Sequence, residues 1–69
     1  MVNSELLEQK RVESGKTKTY LCKKLGIALQ TYKRKCDNKS DFKLSEVDIL
    51  CPELNIKTLT EREQVFFAK

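Results

Sequence analysis

Apolar positions recur along this chain at helical spacing, in short bursts broken by glycine, asparagine or proline. In SELLEQKRVES, residues 4–14, Leu7 and Arg11 share a face at i, i+4, and Leu6 and Val12 widen the apolar stripe only in part. Asn3 or Ser4 can cap this first helix, Glu5 suits the positive end of its dipole, and Gly15 can take the left-handed conformation that ends it. KTYLCKKL, residues 18–25, predicts a second helix. Thr17 is its N-cap, Leu21, Cys22 and Leu25 form its inward stripe, and Lys18, Lys23 and Lys24 face out. Gly26 closes it, and Ile27 follows as an apolar anchor in the turn. In LQTYKRKC, residues 29–36, Leu29, Tyr32 and Cys36 fall at i, i+3 and i+7 on one inward stripe. Gln30, Lys33 and Arg34 are left for the exposed side, with Leu29 bordering both.

Asn38 tolerates a left-handed backbone and can stop the third helix before a loop, NKSDF. Phe42, Leu44, Val47 and Leu50 (or Ile49 and Cys51) predict a fourth helix near residues 44–51; Pro52 either ends it or opens a further turn at ELN, because proline lacks the amide donor of a helix interior. Thr60 with Glu63 forms a capping-box pattern before EREQVFFAK. Residues 61–69 read either as a short helix or, given Val65, Phe66 and Phe67, as a terminal strand. The expected fold class is therefore all-α, a bundle of about five short helices in a single domain over residues 1–69. No helix is long enough to be stable alone, so a shared core must hold them.

The net charge of +4 hides an asymmetry. Residues 16–43 hold nine Lys or Arg against two acids, net +7, and the remainder is net −3. A basic centre between acidic ends suggests a polyanionic partner. The chain has no His, and its three cysteines, Cys22, Cys36 and Cys51, lack metal-ligand spacing. They read as small buried hydrophobes in a reducing cytoplasm, with no metal, cofactor or disulfide expected. With no His, no phosphate-binding glycine loop and no activated nucleophile, an enzyme acting on a small-molecule substrate is not expected. The start, MVNSELLEQK, is polar within three residues, and no apolar run approaches membrane-spanning length, so a cytoplasmic location in a bacterial host cell is expected.

The second and third helices are separated by a glycine-centred turn of about four residues, which is helix-turn-helix spacing. SGKTKTYLCKKLGIALQTYKRK, followed by NKSDFKLSEVDILCPELNI, resembles the small helix-turn-helix proteins of temperate phages, the Cro and lambda repressor-like fold. The resemblance lies in the glycine after helix one, the Leu21–Cys22 pair, Leu-Gly-Ile, Tyr32 within a short polar helix, and the Phe-x-Leu-Ser-Glu-Val segment. It covers residues 4–56.

The resemblance implies that the third helix reads bases in double-stranded operator DNA with Leu29, Gln30, Lys33 and Arg34. Gln can bind adenine at two points, Arg or Lys can bind guanine, and Leu29 can touch a thymine methyl. It places Thr17 and Lys18 at phosphates, helped by a helix N-terminus, with Lys39 and Lys43 flanking the next phosphates. Lys23 and Lys24 are then only solvated charge. Three positions depart from the family pattern. Ala28 stands where a Ser or Thr usually caps the reading helix. Cys36 stands where a glutamate usually pairs with the helix-one arginine, here Arg11, with Asp37 offering a substitute. Pro52 interrupts a usually continuous helix. Phe66 and Phe67 either close the core or supply a homodimer contact, formed in solution or only on DNA. The implied function is a Cro-type transcriptional repressor of phage or prophage origin. The competing function is an antirepressor-like modulator that uses the same fold to bind a partner regulator.

Overall fold

The structure, a computed structural model, describes residues 1–68. Five helices follow in order: α1 (Ser4–Ser14), α2 (Lys18–Leu25), α3 (Leu29–Cys36), α4 (Leu44–Glu53) and α5 (Leu59–Phe66). Among the described residues there is no strand.

A residue with a left-handed backbone follows each of the first four helices: Gly15 and Gly26 directly, and Asn38 and Asn55 one residue beyond the caps Asp37 and Leu54. At Gly26, with φ 70°, a side chain would be strained although the space around it is open, so glycine is required by conformation and not by crowding. After α3, the Asn38 amide donates to the Lys35 carbonyl and the Lys39 amide to the Arg34 carbonyl, at 3.2 and 2.9 Å. After α4, the Asn55 and Ile56 amides repeat this pattern onto Pro52 and Cys51. These paired bonds satisfy carbonyls that a helix end otherwise leaves open.

Helix α4 runs past Pro52, which sits one residue before its end. The missing amide there costs a single bond in the last turn, and the Leu54 and Ile56 amides keep that turn closed. The fifth helix starts earlier than the Thr60–Glu63 pattern suggests. Thr58 is the N-cap, its hydroxyl accepting from the Glu61 amide at 3.1 Å. This start lets Glu61 reach Lys10 of α1 and Arg62 reach Asp48 of α4. The helical outcome holds as far as Phe66; Lys69 lies outside the described residues.

The core takes one or more side chains from every helix: Leu7, Leu21, Tyr32, Leu50 and Val65 are all fully buried. Helix α2 packs against both α3 and α4, and α1 packs against α5. Phe42, in the loop before α4, stands edge-on between Tyr32 and Phe66, with ring centroids 6.2 and 5.6 Å away. Such edge-to-face pairs add to area burial alone. Val2 and Asn3 strap the bundle. The Asn38 side chain accepts from the Val2 amide and donates to its carbonyl, at 2.7 and 3.0 Å, and the Asn3 amide donates to the Val65 carbonyl at 2.8 Å.

Some inward assignments shift. Leu29 lies outside the core, leaving Tyr32 and the half-buried Cys36 as the inward positions of that stripe. Val12 is exposed, and of the two C-terminal phenylalanines only Phe66 is buried. Cys22 and Cys51 are buried and Cys36 is half-buried, all three as free thiols. Burial pushes each thiol above its ordinary pKa, Cys36 to about 11. Among the described residues, no helix is long and apolar enough to cross a membrane, and no cluster of acidic residues and cysteines could hold a metal ion.

Candidate nucleic-acid interface

The surface built by α2, the turn Gly26–Ala28 and α3 collects most of the residues singled out from the sequence. Helix α3 turns Leu29, Gln30, Lys33 and Arg34 outward, and all four are exposed. For Gln30, Lys33 and Arg34 the cause is the period of the helix: Tyr32 takes the inward direction, and the positions one and two away from it fall outward. Leu29, three before Tyr32, is exposed because it stands in the first turn, at the edge of the core.

Thr17 begins α2, its hydroxyl accepting from the Tyr20 amide at 3.0 Å. That bond uses the oxygen as acceptor and leaves the hydroxyl proton to donate elsewhere. Lys18 is half-buried and lines a cleft of about 430 Å³ together with Lys33, Tyr32, Cys36, Glu8 and Asp37. The cleft thus brings one proposed phosphate ligand beside one proposed base reader. Lys39 and Lys43 are exposed in the loop between α3 and α4. The Lys39 backbone hangs from the Arg34 carbonyl, so this lysine is placed by the same turn that ends α3.

The cations differ in what they already hold. Lys16 reaches Glu53 at 3.7 Å and Lys35 reaches Glu46, so both are compensated internally. Among the described residues, Lys18, Lys33, Arg34, Lys39 and Lys43 make no ion pair. Lys23 and Lys24 are exposed, Lys24 lying 5.6 Å from the Tyr20 ring centroid. Arg11 does not turn to Asp37. It binds Glu8 on its own helix and donates to the Lys16 carbonyl at 2.7 Å. Glu8 stands one turn from Arg11 on α1, a far shorter reach than the C-terminus of α3. The hydrogen bond from Arg11, opposed by slight burial, holds the Glu8 carboxyl below its ordinary pKa.

Lys35 and Glu46 are the pair that the sequence did not disclose. Lys35 is only 7% exposed and Glu46 only 6%. The ammonium meets Glu46 Oε1 at 2.5 Å, and the same oxygen accepts the Lys43 amide at 2.8 Å. Burial works against ionisation of Glu46, but the hydrogen bonds from Lys35 and from the Lys43 amide outweigh it and hold its carboxyl below the usual range. One sequence signal was available: Glu46 stands three residues after Lys43, the spacing at which a carboxylate folds back onto the residue before a helix.

Helix α3 itself starts without help, since Ala28 has the extended backbone of an N-cap but no side-chain acceptor. Among the described residues, the Tyr32 hydroxyl is buried without a hydrogen-bond partner of standard geometry. No family model, no curated protein and no solved structure matches the chain. Its function is therefore read from this geometry.

Proposed function

We propose that the protein is a sequence-specific, double-stranded DNA-binding regulator of the Cro type, in which α2, the turn and α3 act as a helix-turn-helix. The observation that carries this reading is the outer face of α3. Leu29, Gln30, Lys33 and Arg34 stand together there, exposed and without ion pairs, beside Lys18 and the start of α2. Amide, guanidinium, ammonium and methyl groups on one helix face match the donor, acceptor and methyl pattern of a major groove. Thr17, Lys18, Lys39 and Lys43 bracket that face with phosphate ligands. Regulation then follows from steric occlusion of a promoter.

One module contacts few base pairs, so a homodimer on a near-palindromic site belongs to the reading. An apolar groove lined by Met1, Phe42, Leu44, Val47 and Phe67 supports a protein partner, because Met1, Leu44 and Phe67 leave large apolar side chains exposed. The same groove favours the second reading, a modulator that engages a partner regulator.

The test is selection of a preferred duplex from random DNA, followed by anisotropy titration at two salt concentrations. A specific complex whose affinity falls steeply with salt is expected. Gln30→Ala should lose about 1–3 kcal/mol on the selected site and little on random DNA, whereas Lys39→Ala should weaken both and reduce the salt slope by about 1. No binding at low salt by the folded protein overturns the reading.

A further inference from the structure

We propose that the buried Lys35–Glu46 pair is a positioning device that fixes the base-reading face of α3 relative to the phosphate-contacting loop behind it; this rests on the DNA-binding reading above. A lysine in the last turn of a basic surface helix is normally solvated, because removing an ammonium from water is costly. Lys35 is instead turned inward, its ammonium held by Glu46 and lying 5.8 Å from the centroid of the Phe42 ring. Buried ion pairs can commonly be replaced by neutral side chains with no loss of stability, so stability alone does not account for the two charges. What a hydrogen-bonded pair supplies is direction and distance. One Glu46 oxygen serves both the α3 ammonium and the Lys43 amide, so a single carboxylate sets the spacing of both elements.

The consequence runs through the neighbours. Lys33 and Arg34 immediately precede Lys35 on α3. The Lys39 backbone is bonded to the Arg34 carbonyl, and the Lys43 backbone is bonded to Glu46. Base readers and phosphate ligands are therefore joined through one buried carboxylate. Phosphate contacts set where a protein sits on a duplex, and base contacts read sequence only if that placement is right. Loosening the joint lets the lysines hold phosphates while the readers miss their bases.

The experiment compares the wild type with the double variant Lys35→Met, Glu46→Gln. Removing one charge of each sign leaves the net charge unchanged, and glutamine still offers an oxygen to the Lys43 amide. Affinities for the selected site and for random DNA are measured at two salt concentrations, with helix content and Tm by circular dichroism. The expected result is a folded variant with wild-type affinity and salt slope on random DNA. Its preference for the selected site should drop about tenfold, the worth of one well-read base pair. A folded variant with unchanged preference overturns the positioning role while leaving the DNA-binding reading intact. Failure of the wild type to bind any duplex overturns both. If the double variant does not fold, Lys35→Arg is measured in the same way. It keeps the charge but forces a wider separation from Glu46; reduced preference supports the role and unchanged preference overturns it.

Discussion

At its first residue α3 begins on Ala28, a methyl side chain that can accept no hydrogen bond, and only the short turn from α2 leads into it. At its last turn the same helix is tied on every side. The Ser4 hydroxyl donates to the Cys36 carbonyl, Asn38 exchanges two hydrogen bonds with Val2, and Lys35 is held by Glu46. Leu29 and Gln30 thus lie in the less restrained turn, while Arg34 lies in the anchored one. The anchors come from three separate parts of the chain: the N-terminal strap, α1 and α4.

The largest expected effect comes from breaking the anchored end from within. Lys35→Met leaves the Glu46 carboxylate buried with only the Lys43 amide, and should cost about 3 kcal/mol. In a domain of this size that lowers Tm by roughly 15 °C. The wild type also carries a pH signature of this anchor. The folded Glu46 has a depressed pKa, so its contribution is present above the ordinary carboxylate range and is lost as pH falls through the folded value. Thermal melts between neutral and acid pH should show a steeper loss for the wild type than for Lys35→Met. A loss under about 1 kcal/mol at neutral pH would place the pair with ordinary surface ion pairs.

Asn38→Ala should come next, at about 2 kcal/mol, because it removes both bonds to Val2 and puts alanine, which tolerates a left-handed backbone less well than asparagine, at φ 62°. Asn38→Gly separates the causes. It keeps the backbone conformation and loses only the side-chain bonds, so chemical denaturation should place it between the wild type and Asn38→Ala. If glycine and alanine are equal, the conformation contributes nothing.

The smallest effect is a gain. Ala28 already has the extended backbone that an N-cap requires, so Ala28→Ser should stabilise the fold by about 1 kcal/mol and raise Tm by about 5 °C. That substitution makes the two ends of α3 more alike. An unchanged Tm would mean that the free end is already satisfied from elsewhere.

The helix boundaries were legible because local chemistry writes them. Gly15, Gly26 and Asn38 stop helices where left-handed residues are needed, and Asn3 and Thr17 cap where their oxygens reach the next turn. Gln30, Lys33 and Arg34 were legible as outward from period once Tyr32 was fixed as inward, whereas Leu29 was read into the inward stripe and is exposed. Pairings across the bundle were not. Lys35 stands three residues after Tyr32, on its inward side, but nothing local names its partner, a carboxylate eleven positions away on another helix. Arg11 had acids near in sequence and in expected space, and the adjacent turn of its own helix won. Thr58 and Thr60 both precede a glutamate by three residues, so only the packing of α5 on α1 and α4 decides between them.

Tyr32 turns this architecture into a clock. Its hydroxyl is buried beside the Cys36 thiol, and burial first of all raises its pKa far above that of a free phenol. Burial opposes loss of the proton where the ring sits, so the phenolate absorbance of Tyr32 in alkaline solution is expected to follow the lifting of α3 from the core. After a jump to high pH, the slow rise of that absorbance counts the openings of one helix, in a protein without tryptophan to report them.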